Sequence, residues 1–182
     1  MKKTIEIEKK YSLTADEHKT VLRRLAEIGA HFEGEDFEEN VLFGGGFLNY
    51  KNAALRVRKT EKKIVLTYKQ RQPSESAVKQ QIEYETEIGD AETITEIFKN
   101  LGYRPALVYE KRRQTWQLKN VEVVLDELPF GLFMEIEGGQ SEILEAEKLL
   151  EIENLPAVME TYPLLTAQHG EKRGEMVEAR FK

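Results

Sequence analysis

Glu6-Ile7-Glu8-Lys9-Lys10 stands almost at the N-terminus, and its reading decides the fold. Side chains alternate faces along a strand, so Glu6, Glu8 and Lys10 share one face while Ile5 and Ile7 take the other. Taken alone, this is an ordinary amphipathic strand with one wet face. The same separation of charge from apolar bulk then recurs down the chain. Arg56 and Arg58 share a face opposite Leu55 and Val57. Lys69 sits with Thr67, opposite Leu66 and Tyr68. Glu83, Glu85 and Glu87 oppose Ile82, Tyr84 and Ile88, and Lys111 falls in phase with Arg113. Asp126, Glu135 and Glu137 complete the series.

Strand-like runs cover residues 2–11, 53–60, 63–71, 79–89, 106–118, 120–126 and 131–138. Four helices are predicted beside them. The first follows Thr14-Ala15-Asp16-Glu17, which has capping-box spacing, carries Val21, Leu22, Leu25 and Ile28, and stops at Gly29. The second runs from about Asp90 to Leu101, and the third begins near Ser141. The fourth is expected between Ala157 and Ala167, with Pro163 kinking or splitting it. Gly44-Gly45-Gly46 and Gln72-Pro73-Ser74-Glu75-Ser76 read as loops, and Glu61-Lys62 as a hairpin turn.

Helices need an apolar sheet surface to pack on, and the apolar strand faces supply it. If the sheet curls shut with the helices outside, every charged face points into one lumen. The lumen then holds eight acids (Glu6, Glu8, Glu83, Glu85, Glu87, Asp126, Glu135, Glu137) and six bases (Lys10, Arg56, Arg58, Lys69, Lys111, Arg113). So many buried charges are costly unless they pair or bind ligands. Carboxylates without histidine or thiolate partners favour hard divalent cations such as Mg²⁺ or Mn²⁺. The lysines and arginines suit phosphate oxygens. Two divalent ions would turn the excess of acid into an excess of positive charge, which calls for an extended, highly anionic ligand.

Composition narrows the alternatives. The 182 residues include 27 Lys and Arg against 33 Asp and Glu, a net charge of −6, which argues against a nucleic-acid coat or an anionic membrane surface. The chain contains no cysteine and only His18, His31 and His169, so thiol catalysis, zinc–cysteine sites and histidine triads are not expected. No run approaches the ~18 apolar residues of a membrane span. A cytoplasmic location and a single domain over residues 1–182, its core at about 2–167 with a short tail, are the expectations.

The ordered set Glu6-x-Glu8-x-Lys10, Arg56-x-Arg58, Lys69, Glu83/Glu85/Glu87, Lys111-Arg112-Arg113, Asp126 and Glu135-x-Glu137 resembles the CYTH superfamily, the triphosphate tunnel metalloenzymes. The tail Thr161-Tyr162-Pro163-Leu164-Leu165 is similar to that family's closing helix. The resemblance spans roughly residues 4–166 and implies an α+β fold: an eight-stranded antiparallel β-barrel tunnel flanked by helices. It also implies an enzyme that binds a small-molecule triphosphate with Mg²⁺ or Mn²⁺, two ions once substrate is bound, and it is compatible with a homodimer. By position, Glu6, Glu8, Glu135 and Glu137 resemble the principal metal ligands, with Asp126 and Glu85 assisting. Lys10, Arg56, Arg58, Lys69, Lys111 and Arg113 resemble the triphosphate clamp, and Glu6, Glu8, Lys10 and Glu85 the catalytic set.

Two departures bear on substrate choice. Gln80-Gln81 stands where relatives often carry an arginine, and Gly44 follows Asn40-Val41-Leu42-Phe43 where they often carry an aspartate. The reaction expected first is hydrolysis of tripolyphosphate, thiamine triphosphate or a nucleoside triphosphate. The alternative is a class IV adenylate cyclase, which would need an adenine pocket; Phe43, Phe47, Tyr50 and Tyr68 are the aromatic candidates for it.

Overall fold

The computed structural model describes residues 3–48, 53–71 and 79–182, with side chains from 7 to 48, 53 to 70 and 82 to 182. Eight strands form a ring. They are β1 (Lys3–Leu13), β2 (His31–Gly45), β3 (Ala53–Lys59), β4 (Ile64–Arg71), β5 (Lys79–Ile88), β6 (Tyr103–Leu118), β7 (Val121–Leu128) and β8 (Gly131–Glu137). Their order is β2-β3-β4-β5-β1-β8-β7-β6, and β2 pairs again with β6, so the first strand meets the last. Each of these pairings is antiparallel. A closed ring leaves no barrel edge unpaired, which is the usual reward for the tilt and shear that closure demands.

The closing strand, β2, is absent from the strand-like runs read from the sequence, and Gly44-Gly45, expected as loop, form its end. Its pairing with β6 runs from His31↔Gln117 to Gly45↔Tyr103, with irregularities at Phe32/Gly34 and Leu42/Phe43. The second irregularity falls where Pro105 of β6 offers no N–H to the ladder. Bulges bend a strand, and these two let β2 follow the curve of the barrel.

Three helices lie outside the barrel, on the apolar strand faces as expected. α1 (Ala15–Glu27) opens on the Thr14/Glu17 capping box, and α3 (Gln140–Leu150) lies beside it. Together they bury Val21, Leu25, Ile143, Ala146 and Leu150 against the outward faces of β1, β7 and β8. α2 (Ala91–Asn100) drives Phe98 onto Phe43 and Val57. Beneath α3, buried Glu147 accepts hydrogen bonds from Lys9 and from the Tyr11 hydroxyl. Both donors project from the outer face of β1.

The fourth helix corrects the sequence reading. Ala157 bridges Tyr11 of β1 in extended conformation, and α4 begins only at Tyr162 and runs to His169. Pro163 neither kinks nor splits it, because it occupies the first turn, where its missing N–H has no intrahelical acceptor to lose. Tyr162 and Leu165 of α4 pack with Leu42, Leu107, Tyr109, Leu128 and Phe133. One end of the lumen is therefore apolar and covered by α4, and the charged remainder lies above it.

The chain ends in a small hairpin, β9 (Glu171–Arg173) and β10 (Met176–Ala179), with β10 parallel to β6. Arg180 then reaches Glu39 at 2.6 Å and Glu110 at 2.7 Å, two acids directly opposite each other across the closing β2–β6 seam. Like charges in register repel, and the guanidinium relieves them. Arg180→Ala is expected to cost about 1 kcal/mol, a fall in Tm of about 2–4 °C that shrinks in concentrated salt. Thermal melts at low and high ionic strength check it.

Candidate active site

The lumen walls are built by cross-strand register. Lys10 lies opposite Glu135, and Glu8 opposite Glu137, on the β1–β8 pair. Arg113 lies opposite Asp126 on β6–β7, and Lys111 opposite Glu38 on β6–β2. Arg56 lies opposite Thr67 on β3–β4, while Thr67 and Lys69 face Glu85 and Glu83 on β4–β5. Charge is thus met by opposite charge on the neighbouring strand in most of these rows.

Two networks result. On the β1/β6/β7/β8 wall, Arg113 grips Asp126 through both nitrogens, Nε to Oδ1 at 2.7 Å and Nη2 to Oδ2 at 2.6 Å. Its Nη2 also reaches Glu135 at 2.9 Å. Lys10 pairs with Glu135 at 3.1 Å and lies 3.6 Å above the Tyr162 ring. The Tyr162 hydroxyl donates to Asp126 at 2.8 Å, so α4 is tied directly into the charged wall. On the β3/β4/β5 wall, Glu85 accepts from Thr67 at 2.8 Å and from Arg58 at 3.2 Å, with Arg56 at 3.7 Å. Lys69 pairs with Glu83 at 2.9 Å. Glu38 of β2 stands between the walls, 3.4 Å from Lys111 and 3.7 Å from Arg58.

Burial makes these pairings energetically consequential. Asp126 is 0 % exposed, Lys111 2 % and Lys10 3 %. Burial pushes the Glu135 carboxyl up, but Lys10, Arg113 and Lys111 outweigh it and hold the group well below the usual carboxylate range. Glu38 shows the same contest: desolvation opposes ionisation, and Lys111, Arg113, Arg58 and Arg56 win. Desolvation and the neighbouring Arg113 hold the Lys111 ammonium below its ordinary value despite Asp126 and Glu38. Burial beside Asp126 and Glu135 raises the Tyr162 hydroxyl far above normal, so it stays a donor.

Of the residues expected from sequence, the structure gathers Lys10, Arg56, Arg58, Lys69, Lys111, Arg113, Glu83, Asp126 and Glu135 into these networks. Glu85 is less enclosed, its side chain 40 % exposed, and Glu87 is exposed. The Glu6 side chain lies outside the described residues, as do Tyr50 and the 72–76 loop. Phe43 is buried on the outer surface against Phe98, and Phe47 is fully exposed, so neither lines the lumen. Sequence reading missed Glu38, gave Asn40 no role in the site, and placed Tyr162 in the closing helix without one. The available signal was the phase Asp36, Glu38, Asn40, Leu42 against Phe37, Val41, Phe43.

The donor chemistry fits a hard divalent cation. Glu8 and Glu137 face each other across one register pair, and their oxygens are the type that Mg²⁺ and Mn²⁺ take. Among the described residues no group of three such side chains stands within reach of one ion, so further ligands would have to come from elsewhere. Asp126 is engaged by Arg113 and Tyr162. The lumen also fits an anion: Arg56 Nε and Arg58 Nε are buried donors with no hydrogen-bond partner among the described residues. Such donors are costly to leave unmet.

Known proteins resemble this chain in sequence and fold. A Methanocaldococcus jannaschii protein provisionally named an adenylate cyclase is 31% identical over 150 residues, covering 81% of this chain and 84% of its own. The solved structure of a Pyrococcus horikoshii OT3 protein superposes with a TM-score of 0.74 at 29% identity, over 86% of this chain and 96% of that one. A Hippeastrum protein, named an adenylyl cyclase and described as revealing a dominant triphosphatase activity, shares the fold. Its TM-score is 0.67 at 18% identity, over 88% of this chain and 93% of its own. The family profile described as the CYTH domain matches residues 4–161, and with that match the chain belongs to the CYTH family.

Proposed function

We infer that the lumen binds a triphosphate together with Mg²⁺ or Mn²⁺ and that the protein is a metal-dependent triphosphatase. The observation that carries this reading is the buried clamp: six cations around one lumen, two of them arginines whose Nε donors have no partner among the described residues. Water can solvate a free triphosphate, so a competing site must offer several cations fixed in place, which this barrel does.

Glu8 and Glu137, joined by Glu6 and Glu135, are the residues proposed to hold the metal, with Asp126 and Glu85 at the margin of that set. When bound, the ion supplies Lewis-acid neutralisation of phosphate oxygens. The chain's own contribution is positioning. Lys10, Lys111 and Arg113 would bind one end of the phosphate chain from the β1/β6 side, and Arg56, Arg58 and Lys69 the other side. Asp126 and the Tyr162 hydroxyl fix the angle of Arg113. Glu85 does the same for Arg58. In hydrolysis, water adds to the terminal phosphorus, the bridging P–O bond breaks, and the clamp stabilises the charge that develops on the leaving oxygen.

Adenylate cyclisation is the second reading, supported by the name of the archaeal relative. It would need a surface for adenine, and Phe43 and Phe47 do not line the lumen. Hydrolysis needs no such surface. Incubation with Mg²⁺ or Mn²⁺ and, separately, tripolyphosphate, thiamine triphosphate and ATP tests the two. Orthophosphate release supports the triphosphatase; cyclic AMP with pyrophosphate from ATP overturns it in favour of the cyclase.

A further inference from the structure

Glu38 has no part in the reading so far, yet it occupies the centre of the clamp. It is 3 % exposed and comes from β2, the strand that closes the barrel. Its Oε2 lies 3.4 Å from Lys111 Nζ and accepts from Asn40 Nδ2 at 3.2 Å. Its Oε1 lies 3.7 Å from Arg58 Nη1. Lys111 on β6 and Arg58 on β3 stand on the two strands that flank β2, so the carboxylate sits between two cations that a phosphate bound at this seam would share. The surrounding lysine and arginines hold it ionised. A phosphate entering between Lys111 and Arg58 must therefore bind beside a resident carboxylate that repels it.

We propose that Glu38 is a resident counter-ion of the clamp: it keeps Lys111 and Arg58 paired in the empty barrel and weakens the hold on phosphate anions, so that product can leave. Two effects of the carboxylate compete. It orders the cations, which favours binding, and it repels the incoming anion, which opposes binding. Lys111 is also held by Asp126 at 3.4 Å and Arg58 by Glu85 at 3.2 Å, so both cations keep an ordering partner without Glu38. Removing the Glu38 charge takes away part of the repulsion on an incoming anion in a poorly solvated site, while each cation keeps an ordering partner. Repulsion is thus the larger effect, and Glu38 acts as a specificity-determining residue that tunes affinity rather than as a ligand.

The inference rests on the triphosphate reading, and its test separates the two. Inorganic pyrophosphate, a product of both tripolyphosphate hydrolysis and cyclisation, is titrated calorimetrically into wild type, Glu38→Gln and Glu38→Asp with Mg²⁺ present. Glu38→Gln keeps the shape and removes the charge, and is expected to bind at least about 10-fold more tightly. Its melting temperature should be lower than wild type without ligand and should rise further when pyrophosphate is added. Glu38→Asp draws the charge back by one methylene and should fall between the two. Should Glu38→Gln not fold, Glu38→Asp alone decides the matter. Equal or weaker binding by the variants, with wild type binding normally, overturns the role of Glu38 and leaves the triphosphate reading intact. If wild type binds neither pyrophosphate nor tripolyphosphate, that reading fails and the inference falls with it.

Discussion

Arg113→Met is expected to destabilise the protein by about 3–5 kcal/mol, a fall in Tm of roughly 6–20 °C. Asp126 is 0 % exposed and takes its shortest hydrogen bonds, at 2.6 and 2.7 Å, from this guanidinium. Removing it strands a buried carboxylate with Lys111 at 3.4 Å and the Tyr162 hydroxyl as its remaining partners. Glu135 loses its 2.9 Å contact in the same change. Arg113→Met combined with Asp126→Leu removes both charges, so much of the lost stability should return. Binding of tripolyphosphate should not return, because the clamp has lost a cation. Denaturant midpoints and calorimetry on the single and double variants would show this; a double variant as unstable as the single would contradict it.

Glu8→Gln should leave stability nearly unchanged and reduce turnover by about 100-fold or more. Glu8 is only half-buried, and glutamine keeps its shape and one side-chain acceptor oxygen. The substitution removes a proposed metal ligand. Phosphate release measured across a range of Mg²⁺ concentration should stay low even at saturating metal. Activity within a few-fold of wild type would sink the metal assignment while leaving the barrel untouched.

Much of this architecture was legible because two periods agree. Glu83, Glu85 and Glu87 against Ile82, Tyr84 and Ile88 alternate with period 2, and the apolar stripes of α1 and α3 repeat with the helical period. Each requires the other to be covered, which is why the charged faces could be assigned to the inside. β2 escaped because Glu38 and Glu39 put charge on both faces and two irregularities break its register with β6. Missing β2 concealed Glu38, since a residue outside any assigned strand has no face to point from. Tyr162 escaped differently. Its hydrogen bond to Asp126 joins residues 36 apart in sequence, and no local pattern distinguishes that hydroxyl from one in water. Glu147 is similar: it occurs within an amphipathic helix, yet it is buried by Lys9 and Tyr11 from the far end of the chain. Pro163 was misread for a simpler reason, because the helix start set by Thr161 lies nearer to it than expected.

The central claim is that one charged lumen holds both metal and triphosphate. A crystal structure of the protein soaked with tripolyphosphate and Mn²⁺, with anomalous scattering to locate the ion, measures this directly. Manganese is expected beside Glu8 and Glu137, with phosphate oxygens reaching Arg56, Arg58, Lys111 and Arg113. Manganese or tripolyphosphate bound only on the outside of the barrel, with Lys10–Glu135 and Arg113–Asp126 undisturbed and the lumen free of both, would contradict it.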